Sequence, residues 1–115
     1  MGAAAAQVLV VIGASIIGAL GCLHLAYTYF GERLLPRDRA VVDAMKGTTL
    51  VLTRETTVWD AWIGFNGSHS LGAILLAAVY LLLATQYMDV LARSKGLMLL
   101  AVSAGAAYVW LAYLY

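Results

Sequence analysis

The chain has 115 residues, 63% of them hydrophobic and 11% charged, with a formal net charge of +1. Average soluble domains carry about 25% charged residues, and a chain this short with a mean hydropathy of +0.88 could not hide its apolar surface in a water-soluble core. Composition therefore predicts an integral membrane protein of one domain, residues 1–115, and the near-zero charge argues against a nucleic-acid partner.

The first hydrophobic run predicts a span over residues 3–30. Met1 to Gln7 carries no Lys or Arg, so the basic start of a cleavable signal is missing, and the apolar stretch is longer than a signal core. It reads as a retained helix. Cys22 lies inside it, and as the only cysteine it excludes an intramolecular disulfide and a CxxC redox pair.

Residues 31–57 form a charged loop. It holds Arg33, Arg37, Arg39, Lys46 and Arg54, five of the seven basic residues. Pro36 is expected to end any helix arriving from the first span. Arg39 to Leu52 places Val41, Val42, Met45, Leu50 and Val51 among charges, which fits an amphipathic helix at the interface or one folded back onto the other helices. Thr48, Thr49, Thr53, Thr56 and Thr57 weaken that helix, because threonine favours caps and strands.

Thr57-Val-Trp-Asp60 reads as a capping box that starts the second span, residues 58–87. The third span covers residues 94–115. Each exceeds the roughly 20 apolar residues a crossing helix needs. Lys/Arg bias puts the first loop in the cytoplasm, the N-terminus outside and, with three spans, the C-terminus inside.

Lipid does not drive helices together, so small residues must permit close approach. Ala14, Gly18 and Cys22 form one stripe at spacing four. Gly64, Ser68 and Gly72 form another, and the two are expected to face each other. Ala101 and Gly105 are a shorter version. Tyr27, Tyr29, Phe30, Trp59 and Trp62, with Trp110, Tyr113 and Tyr115, read as an aromatic belt.

The polar residues inside the spans are the functional candidates, since such groups face protein or a cavity. His24 and His69 fall at depths of roughly 9 and 13 Å from one membrane face, at about 1.5 Å per residue. His24, Tyr27 and Thr28 share one helix face. Asn66, His69 and Ser70 share another, with Trp62 one turn earlier. Several readings fit these seven ligand-binding candidates. They are a structural cluster in which the histidines bond each other, Tyr27 or Asn66, or a pocket for a lipid, quinone or other small apolar ligand. They are also compatible with a bis-histidine haem site at His24 and His69, with acid–base catalysis, or with transport. No metal site other than haem is expected, because two histidines lack a third deep ligand. No phosphate loop, GxSxG or HExxH motif is present, no catalytic residue or cofactor is named by the residues, and the reading leans away from an enzyme. Arg54, Glu55 and Asp60 read as an interfacial ion-pair network or, alternatively, as a lid or substrate-head contact over the histidines. Pro36 to Arg39 reads as a turn with lipid-headgroup contacts.

His24-Leu25-x-Tyr27-Thr28, the threonine-rich stretch from Thr48 to Thr57, and Trp62-Ile-Gly-Phe-Asn66-x-Ser68-His69-Ser70-Leu71-Gly72 together resemble an uncharacterised family of small bacterial multi-span membrane proteins. The resemblance runs to about Leu83. It implies a helical fold in the bacterial inner membrane and no particular activity. It also implies four spans, so either the first loop supplies a helix or the chain is short at its C-terminus.

The expected fold is therefore an all-α integral membrane protein, a bundle of three transmembrane helices with a partly helical interfacial loop, or a four-helix bundle if that loop counts. The expected function is an interaction or accessory role with a structural polar cluster, the alternative being a binder of a small apolar ligand or cofactor at His24/His69. The expected partners are the lipid bilayer and a homo-oligomer or larger membrane complex.

Overall fold

The computed structural model of the protein describes residues 2–115, and these are all-α. Five helices follow in order: α1 (Ala3–Tyr29), α2 (Arg39–Gly47), α3 (Val58–Gln86), α4 (Met88–Arg93) and α5 (Lys95–Leu114). Helices α1, α3 and α5 are long and apolar enough to cross a membrane, which makes this a multi-pass membrane protein. Helix α2, with 9 residues, rises only about 14 Å. It cannot cross a hydrocarbon core of about 30 Å and supplies no fourth span.

The helix ends have local causes. Helix α1 stops before Pro36 is reached. Gly31, two residues past Tyr29, adopts φ +85°, the left-handed conformation in which glycine closes helices without a Cβ penalty. Helix α2 starts where the Asp38 side chain accepts from the Ala40 N–H at 2.9 Å. It turns one face inward, with Val42 buried and Met45 half-buried, and leaves Val41 and Ala44 exposed. Beyond it the threonines form a small closed loop. Thr49 and Thr57 make an isolated antiparallel bridge, and the Val58 N–H donates to Thr48 O at 2.9 Å. Thr57 then caps α3. Its Oγ1 accepts from the Asp60 N–H at 3.0 Å and donates to Asp60 Oδ2 at 2.7 Å. Ser94 caps α5 by accepting from the Leu97 N–H at 3.2 Å.

The chain folds as two compact units, Met1–Gly18 with Leu75–Tyr115, and Ala19–Ile74. In the first, Ala14, Tyr80, Ala84 and Leu91 are buried, with Val10, Leu76 and Met98 among the aliphatic residues around them. A Cβ on Gly18 would stand 3.0 Å from that of Ala77, so backbones approach closely here. Two polar contacts bind this unit. Gln7 Nε2 donates to Ala84 O at 2.7 Å, and the Tyr80 hydroxyl donates to Leu97 O at 2.7 Å. An apolar cavity of about 250 Å³ opens among Val10, Gly13, Leu76, Tyr80, Met98 and Ala101.

In the second unit the close approach lies at Gly21. A Cβ there would meet Ile74, Ala73 and the Ser70 carbonyl at 3.1–3.2 Å. Gly67 is filled by the hydroxyl and ring of Tyr29. This corrects the expected stripes. Ala14 is buried and Gly18 packs, but against Tyr80, Ala84 and Ala77 rather than the expected stripe, and Cys22 is exposed. On α3, Ser68 is exposed, and nothing lies within 4 Å of a Cβ on Gly64 or Gly72. The packed line on α3 is instead Gly67, Ser70, Ala73, Ala77, Tyr80 and Ala84, all buried. Its spacing of three and four residues keeps it on one face along much of the helix. Gly105 likewise stands open, while Ala101 packs.

Candidate functional site

The second unit carries the polar residues singled out from the sequence. His24 is on α1 near its C-terminus, and Asn66, His69 and Ser70 are on α3. The expected depth match holds, since the rings of His24 and His69 are 5.7 Å apart between centroids and meet edge to face. The partner of His24 is Asn66. Its Nε2 lies 2.9 Å from Asn66 Oδ1.

The proton on this bond can be assigned. Asn66 Nδ2 donates to the Trp62 carbonyl at 2.8 Å, and a carbonyl can only accept. The amide nitrogen of Asn66 is thereby directed to Trp62 and its oxygen to His24. Nε2 of His24 must therefore be the donor. A protonated, engaged Nε2 is neither a metal ligand nor a general base at that atom.

The remaining hydroxyls turn back onto their own helices. Thr28 Oγ1 donates to His24 O at 2.8 Å, and Ser70 Oγ donates to Asn66 O at 2.8 Å. Both are buried, Ser70 completely, and the i−4 bond is how a small hydroxyl satisfies itself where no water reaches. Among the described residues no buried side-chain nitrogen or oxygen lacks a partner.

Two candidates fall outside this core. The Tyr27 hydroxyl accepts from Arg33 Nη1 at 2.6 Å, and the guanidinium carbon lies 4.8 Å from the ring centroid. Tyr27 thus engages the first loop rather than His24. Trp62 gives only its carbonyl, while its ring stacks on Trp59 at 5.6 Å, and Lys46 Nζ lies 4.9 Å from the Trp59 centroid. Phe65 was not among the sequence candidates. It stacks on His69 at 6.2 Å with the rings 8° from parallel. The i, i+4 spacing of Phe65 and His69 was the signal that could have found it.

The bis-histidine haem expectation does not fit this geometry. The rings sit between two places where α1 and α3 are in contact, Gly67 against Tyr29 and Gly21 against Ser70. The cavity of about 250 Å³ lies in the first unit, lined by apolar side chains, and a second, open apolar hollow lies on α1 among Cys22, Leu25, Ala26, Tyr29 and Phe30.

The expected network of Arg54, Glu55 and Asp60 is not formed. Asp60 is drawn into the α3 cap, and among the described residues the one ion pair is Arg39 with Glu32, at 2.6 Å. That exposed bond, with the carboxylate charge, holds the Arg39 guanidinium above its already high ordinary pKa.

Comparison with protein-family models, with curated proteins and with solved structures finds no match for this chain.

Proposed function

We propose that this chain is a multi-pass accessory or interaction protein of the bacterial inner membrane, in which His24, Asn66 and His69 clasp α1 to α3. The observation that carries this reading is the His24–Asn66 bond, made while the second polar end of Asn66 is consumed by Trp62. A side-chain bond between two neighbouring membrane helices has the character of a helix-registering contact, the ordinary use of polar side chains there. The likeness of the His24 to Thr28 and Trp62 to Gly72 segments to small bacterial inner-membrane proteins supports the location. The basic residues of the first loop support a cytoplasmic loop and an outside N-terminus.

The long helices support the interaction role. In α5 no residue is fully buried, and Leu99, Leu100, Val102, Val109 and Trp110 are exposed, so that part of its surface is offered to lipid, to a second copy or to a larger complex. Chemical cross-linking in native membranes tests this. A specific adduct through α5 is expected, and a purely monomeric protein at every cross-linker length would contradict it.

A second reading rests on the cavity of about 250 Å³. Its apolar lining suits the tail of a lipid or quinone. Native mass spectrometry from mild detergent separates the two readings. A stoichiometric co-purifying apolar molecule, lost on Gly13→Leu, would favour ligand binding, and a bare protein would favour the accessory role.

A further inference from the structure

The connector between α2 and α3 carries an apolar tip that packs on nothing. Val51 is 109% and Leu52 92% exposed, while Leu50 beside them is half-buried. The tip is held in place. The Leu50 N–H donates to Thr56 O at 3.2 Å, the Glu55 N–H donates to Thr53 Oγ1 at 3.2 Å, and the Thr49–Thr57 bridge closes the base. Two adjacent aliphatic side chains fixed outward in water are unfavourable and mark a contact surface.

We infer that Val51 and Leu52 insert into the headgroup layer of the bilayer that α1 and α3 cross. Two arguments select lipid as the occupant. The first is continuity. The tip lies six residues before α3, and the chain at this end of α1 and α3 carries Tyr29, Phe30, Trp59 and Trp62, the residue types that settle at a membrane interface. Tyr29 and Phe30 are themselves exposed, so the lipid-facing surface of α1 continues to the level from which the loop springs. The second is charge. Arg54, two residues past Leu52, is exposed and, among the described residues, makes no ion pair. A cation beside an apolar tip complements lipid phosphates, as in other interfacial segments that combine apolar insertion with basic flanks.

The test places an environment-sensitive fluorophore at the tip. Cys22→Ser combined with Leu52→Cys, and separately with Val51→Cys, gives one labelling site each. The labelled proteins are reconstituted into phosphatidylcholine–phosphatidylglycerol nanodiscs, with circular dichroism confirming the helices. Blue-shifted emission, quenching by nitroxide lipids labelled at the headgroup and loss of quenching by iodide are expected at both positions. Adding Arg54→Glu is expected to reduce the nitroxide quenching. Water-like emission with full iodide quenching at both positions would overturn the proposal. The same aqueous signal, shielded only on addition of cytosolic protein, would also overturn it and assign the tip to a protein partner.

Discussion

His24 Nε2 and Asn66 Oδ1 stand 2.9 Å apart across α1 and α3. Asn66 is also bonded to the Trp62 carbonyl one turn earlier on its own helix, so the side chain is held before it meets His24. A preorganised acceptor of this kind fixes the height of one helix against the other.

Close packing should depend on Gly21 and not on Gly64. Gly21→Ala sets a methyl group 3.2 Å from the Ser70 carbonyl and 3.2 Å from Ala73 Cβ. It should destabilise by about 1–3 kcal/mol, the usual cost of overpacking. Gly64→Ala meets open space and should be neutral or slightly stabilising, because alanine is the better helix former by up to about 1 kcal/mol. Thermal melts followed by circular dichroism in mild detergent check the pair. Equal losses at both sites would mean that the helices pack through the other face.

Tyr80→Phe removes the buried hydroxyl that donates to Leu97 O and leaves the ring in place. A loss of about 0.5–1.5 kcal/mol is expected, the net worth of one hydrogen bond. Amide hydrogen exchange should rise at the start of α5. Unchanged exchange there would show that the contact does not hold α5.

Thr57→Ala deletes both halves of the cap with Asp60. About 1 kcal/mol should be lost, and Thr57→Ser should restore most of it, since serine keeps the oxygen. Failure of serine to rescue would show that the Thr57 methyl group, not the cap, matters.

The sequence exposed the elements far better than their faces. The spans expected at 3–30, 58–87 and 94–115 became Ala3–Tyr29, Val58–Gln86 and Lys95–Leu114, because apolar length and capping residues are local signals. The level of His24 with His69 was also readable, since helical rise alone sets it. The packing face of α3 was not. In water a buried face is more apolar than an exposed one, but lipid is as apolar as the helix interior, so that contrast is lost. Small residues occur on both candidate lines, Gly64–Ser68–Gly72 and Gly67–Ser70–Ala73, and spacing alone does not choose between them. Gln7 and Tyr80 were overlooked as polar contacts because their acceptors are the distant backbone carbonyls of Ala84 and Leu97, which no residue type marks.

The most direct test of the clasp is a double-mutant cycle on His24→Ala and Asn66→Ala, with stability measured by reversible denaturation in mixed micelles. Each single substitution should destabilise, and the double substitution should cost less than their sum, with a coupling of about 0.6–1.7 kcal/mol, the range found for polar contacts between membrane helices. Zero coupling, with both variants as stable as the parent, would show that His24 and Asn66 do not hold α1 to α3.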